Sequence, residues 1–73
     1  MSTRLTTPDQ ILNAALAKEM QARDFYDGLA RQTSVEFVRE LLEELRDEEA
    51  RHVRMIQNML GRLGAGKPPI GRA

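Results

Sequence analysis

The chain has no cysteine and a single histidine, His52. Thiolate ligands, disulfides and thiol nucleophiles are therefore excluded, and metal chemistry must rest on carboxylates and one imidazole. Glu49 stands three residues before His52. On a helix, that spacing puts both side chains on one face. The surrounding positions on this face are apolar, so a carboxylate and an imidazole turned inward need compensation. A hard divalent cation supplies it: carboxylates bridge such ions and change denticity as iron passes from ferrous to ferric, and neutral imidazole suits ferrous iron. The plainer reading is a structural one, in which the buried acids and the histidine pair with one another or with Arg23.

Two helices are required to position these groups. Thr7-Pro8-Asp9-Gln10 marks the first start, with a capping threonine, a proline at the first helical position and a reciprocating glutamine. From there Ile11, Leu12, Ala15, Ala22, Tyr26 and Leu29 form one stripe with Ala30 beside it, and Glu19 falls in its middle. Thr33-Ser34-Val35-Glu36 reads as a second capping box. Val38, Leu42, Leu45, Ile56, Met59 and Leu63 then mark an inward stripe, widened by Phe37, Leu41 and Met55 and interrupted by Glu49 and His52. Gly61, Gly64 and Gly66 before Pro68-Pro69 are expected to end the helix. The expected organisation is a flexible segment 1–6, a two-helix domain 7–63 with helices 8–31 and 34–60, and a flexible tail 64–73. Glu36, Arg39, Glu40, Glu43, Arg46, Asp47 and Arg51 read as a solvated face.

An antiparallel hairpin turning at Ser34 brings Glu19 and Glu49 to one height, each fifteen residues and about 22 Å from the turn. One chain thus offers Glu19, Glu49 and His52 to one place. Tyr26, seven residues after Glu19, leans back towards the site, either as a phenol that donates to a ligand or quenches a radical, or as a packing aromatic. A carboxylate-bridged pair of iron or manganese ions in a four-helix bundle takes a Glu from each of two helices and a Glu-x-x-His from each of the other two. This chain carries half of that set. Two hairpins about a twofold axis complete it and cover the wide stripe of the second helix, so the expected fold is an all-α hairpin that dimerises into a four-helix bundle with two iron ions per dimer.

Other partners are disfavoured. Eleven basic residues balance eleven acidic ones, so no long-range field draws nucleic acid or an anionic membrane. Met1 to Thr7 lack the apolar core of a signal peptide, and charges interrupt each apolar run before it could span a bilayer. A soluble, cytoplasmic protein is expected. At 73 residues its own core supplies only marginal stability, which again favours self-association.

From Ala15 to Met59 the chain resembles the ferritin-like superfamily, in particular the rubrerythrin-type half repeat and the encapsulated ferritins. The resemblance is carried by Glu19, by Asp24-Phe25-Tyr26-Asp27 and by Arg46-Asp47-Glu48-Glu49-Ala50-Arg51-His52 at their mutual spacing. It implies a ferroxidase that oxidises Fe(II) to Fe(III) with dioxygen at a di-iron site between two subunits, for iron storage or detoxification. It further implies Glu19, Glu49 and His52 as iron ligands with Tyr26 nearby, assembly of dimers into a decameric ring, and enclosure in an encapsulin shell. Lys18 and Gln21 stand where the resemblance places further acids, and Phe25 where tryptophan is common. Pro69-Ile70-Gly71 is similar to a shell-targeting segment, although a plain flexible tail fits equally. A peroxide reductase could use the same ligands, but the chain has no cysteine for a rubredoxin-type donor. The non-enzymatic alternative is a structural dimerisation hairpin.

Overall fold

The structure, a computed structural model, describes residues 7–65. It consists of two helices, α1 (Pro8–Gln32) and α2 (Glu36–Ala65), packed against each other and joined by residues 33–35. The first start is built as its sequence dictates. The Thr7 hydroxyl accepts from the Gln10 N–H at 3.3 Å, the Gln10 side chain accepts from the Thr7 N–H at 3.3 Å, and Pro8 opens the helix.

The turn uses its residues differently from the expected second capping box. Thr33 accepts with its hydroxyl from the Val35 N–H at 3.1 Å, two residues on, so the chain stays extended through this bond and α2 begins at Glu36. The Glu36 carboxylate meets Arg39 at 2.7 Å, and Arg39 also donates to the Thr33 carbonyl at 2.8 Å. One guanidinium thereby ties the first turn of α2 to the end of α1.

At the other end α2 runs past Leu60 to Ala65. Gly61 and Gly64 lie on open surface, where a side chain would meet nothing within 4 Å. Each weakens a helix by about 1 kcal/mol, which the preceding turns of α2 tolerate. Helix α2 thus takes in residue 64, where the tail was expected to begin. Residues 1–6, residues 66–73 and with them the segment Pro69-Ile70-Gly71 lie outside the described residues.

Packing between the helices is thin. Among the described residues, the buried apolar side chains are Ala30 at 3% exposure and Val53 at 5%. Val53 was missing from the expected stripe, although it lies one turn after Glu49. It is the buried residue of α2, and Leu42, Ile56 and Leu60 along the same helix are half-buried. Met59 and Leu63, expected inward, are exposed. A single partner helix covers only part of so broad a stripe. What remains is a row of large apolar side chains on the outside, led by Phe37 at 75% exposure and including Leu41, Met55 and Phe25. Among the described residues, no helix is long and apolar enough to cross a membrane.

On the other flank of the seam, Arg46 donates to Asp27 across the two helices at 3.0 Å. Arg46 was expected on a solvated face. Its long stem leans towards the turn, which lets the guanidinium reach Asp27 and also Asp47.

Candidate metal centre

Three polar side chains converge midway along the hairpin, beside the uncovered apolar row. Glu19 comes from the centre of α1. Glu49 and His52 come from successive turns of α2, one helical step apart on the same face. His52 Nδ1 lies 3.4 Å from Glu19 Oε1 and 3.3 Å from Glu49 Oε1. One ligand atom from each of the three residues can be chosen so that all lie within 4.8 Å of one another. Among the described residues this is the group of three acids or histidines close enough to hold an ion. All three side chains are half-buried, Glu49 the most, with 20% of its side chain exposed.

The electrostatics of the cluster state what it lacks. Glu19 is held below the usual carboxylate range, first by a hydrogen bond shared with Glu49 and then by His52, against the cost of partial burial. Glu49 is pushed up by the same shared bond, by partial burial and by the charge of Glu19. His52 is raised by its hydrogen bonds to Glu19 and Glu49. The two carboxylates thus disfavour ionising together, and the imidazole is drawn towards its cationic form. Positive charge is what this site collects. A divalent cation would take the place of protons there, and two hard oxygen donors with one imidazole are a donor set that suits iron or manganese.

Tyr26 makes a ring contact with Phe25, centroids 5.6 Å apart at 60°, and among the described residues no hydrogen bond joins it to Glu19, Glu49 or His52. Arg23, the alternative partner for Glu19, instead meets Asp24 at 3.2 Å. Glu48 is exposed and borders a small 140 Å³ cavity with Glu44, Leu45 and Arg51.

Two features of the site escaped sequence reasoning. One is the Asp27–Arg46 clamp, which fixes the two helices in register beside the cluster. The signal was an unlike-charge pair nearer to the hairpin turn, about two helical turns beyond Glu19 on α1 and about one before Glu49 on α2. The other is an open cleft of about 610 Å³ leading to the carboxylates, lined by Lys18, Glu19, Gln21, Ala22, Phe25 and Glu49.

The family model named rubrerythrin matches residues 10–72, most of the chain and all three residues of the cluster. Neither a curated protein nor a solved structure gives a match.

Proposed function

The chain belongs to the rubrerythrin family, within the ferritin-like superfamily of iron-binding helical proteins, and from that premise we propose that it is a ferroxidase. Its substrate is Fe(II), which it oxidises to Fe(III) with dioxygen as acceptor, in the service of iron storage or detoxification. The site is a pair of ions held between two copies of the chain. One observation carries this reading: Glu19, Glu49 and His52 meet within 4.8 Å at the border of an apolar face that the chain itself does not cover.

A single hairpin offers two carboxylates and one imidazole, too few donors for two ions. A second copy doubles the set, and the same event buries the exposed apolar row. In this arrangement Glu19, Glu49 and His52 of each copy would hold the ions. Bound there, the iron would supply the one-electron chemistry of the reaction. The protein's own part is to gather the donors, give up whatever protons they carry as cations arrive, and keep the site on the inner side of an interface.

The test is metal content per chain measured together with native mass, on wild type and on Glu49→Ala. One iron per chain in an even-numbered oligomer, with the iron lost on substitution, is the expected result. Iron retained by Glu49→Ala overturns the assignment. Stopped-flow oxidation of the ferrous protein tests the acceptor, since a much faster reaction with hydrogen peroxide than with dioxygen would make the protein a peroxide reductase instead.

A further inference from the structure

The cleft beside the centre has walls of uneven charge. Glu19 and Glu49 are its acidic lining residues, and Ala22, Phe25 and Gln21 are uncharged. The remaining lining residue is Lys18, exposed and adjacent in sequence to Glu19. Most basic side chains near the seam are neutralised: Arg23 by Asp24, Arg39 by Glu36, and Arg46 by Asp27 and Asp47. Lys18 takes part in no ion pair among the described residues. Its ammonium is therefore a free positive charge in the wall of an open cleft that two acids also line.

We propose that Lys18 governs cation access to the centre, acting as an electrostatic brake on divalent ions approaching through this cleft. The inference rests on the reading of Glu19, Glu49 and His52 as a metal centre. An incoming divalent ion meets a repulsion from the ammonium twice that felt by a monovalent one, whereas dioxygen, being neutral, is unaffected. The lysine thus separates delivery of the metal from delivery of the oxidant. It also offers the empty carboxylates a rival positive charge, which the metal must outcompete. Because the cleft is open to water, the effect must fade with salt as the screening length falls below the width of the opening.

Association of Co(II) with the metal-free protein, followed by the absorbance of bound Co(II) in stopped flow, reads this directly and needs no oxidation step. Lys18→Gln is expected to bind Co(II) about threefold faster than wild type at low ionic strength, and the difference should vanish near 0.5 M salt. Lys18→Arg, which keeps the charge, should match wild type at every salt concentration. Equal rates for all three proteins at low salt overturn the proposal. So does an equal change in Lys18→Arg and Lys18→Gln, which would assign the residue a packing role. Failure of the underlying reading looks different: Co(II) would bind wild type and Glu49→Ala alike, or neither, and the centre and its brake would fall together.

Discussion

Two polar constellations cross the seam between α1 and α2, and they are built on opposite principles. Asp27 and Arg46 lie nearer the turn and balance each other; Asp27 also receives Arg31 at 2.9 Å, and Arg46 also reaches Asp47 at 3.0 Å. Each charge there faces an opposite charge already supplied by the chain. Glu19, Glu49 and His52, further from the hairpin turn, place two acids against one imidazole. The first constellation lowers the carboxyl pKa of Asp27, chiefly through Arg46. The second raises that of Glu49, chiefly through Glu19. A hairpin with a core as small as Ala30 and Val53 has little stability to spend on unbalanced charge. Retaining such a site at the seam is understandable where something from outside completes it.

The largest effect should therefore come from the missing cation. Manganese or ferrous iron at a hundredfold excess over its Kd should stabilise the folded protein by about 2.7 kcal/mol, a value set by mass action alone. Thermal melts with and without metal should show the shift in wild type and in Asp27→Asn, and a chelator should reverse it. Glu49→Gln should show none. A metal shift that survives Glu49→Gln, or disappears in Asp27→Asn, would erase the distinction between the two constellations.

Acidification should separate them next, because their pKa shifts run in opposite directions. In the metal-free protein, His52 is raised above its ordinary 6.5, so its contribution to stability is complete below that value and is lost as pH climbs through the folded pKa. Glu49 is raised above 4.5, so the penalty for ionising it is absent at low pH and grows as pH rises through its folded pKa. His52 makes the metal-free fold more stable as pH drops through its folded pKa towards 6.5, and Glu49 does so as pH drops through its own towards 4.5. Asp27 is lowered from 3.8, so its contribution is present above that value and disappears as pH falls through the folded pKa. Metal has to displace protons from the first group, and its affinity should weaken about tenfold per pH unit for each proton displaced. Melts across this range should show the gap between loaded and metal-free protein closing towards pH ~5. A gap that widens on acidification contradicts the protonation pattern of the cluster.

How much of this was legible in the sequence follows from what each feature depends on. Helix α1 could be read closely because its start is local: Thr7, Pro8 and Gln10 satisfy one another within four residues. The grouping of Glu19, Glu49 and His52 follows from helix periodicity and the position of the turn, both of which are arithmetic. The end of α2 was misplaced because glycine only disfavours a helix by a modest amount, and Gly61 and Gly64 on open surface do not force a turn. Val53 was overlooked because the apolar stripe of α2 is broader than one partner helix can cover, and the pattern alone does not say which edge of it faces α1. Arg46 was misread for a related reason: a long side chain on the flank of a seam can cross it, and its destination depends on a partner in the other helix. The orientation of Tyr26 against Phe25, away from hydrogen bonding with the cluster, likewise rests on packing that spacing does not encode.

The smallest expected effect is also the one that tests the comparison most directly, since it concerns sign and not size. Removing one charge from a balanced pair strands its partner, whereas removing one from a like-charged pair relieves it. Asp27→Asn leaves Arg46 facing a neutral amide across the seam and should lower the melting temperature of the metal-free protein slightly. Glu49→Gln keeps the shape of its side chain, ends the contest with Glu19 for one proton, and should raise that temperature slightly at neutral pH while abolishing metal binding. The opposition should persist at moderate salt, because both sites are half-buried and are screened less than surface pairs. If both substitutions destabilise the metal-free protein alike, then Glu49 earns its place through hydrogen bonds to His52 and Glu19, and the cluster is a second structural clamp. Opposite signs mean that the chain tolerates a less stable hairpin in order to hold a site that a cation completes.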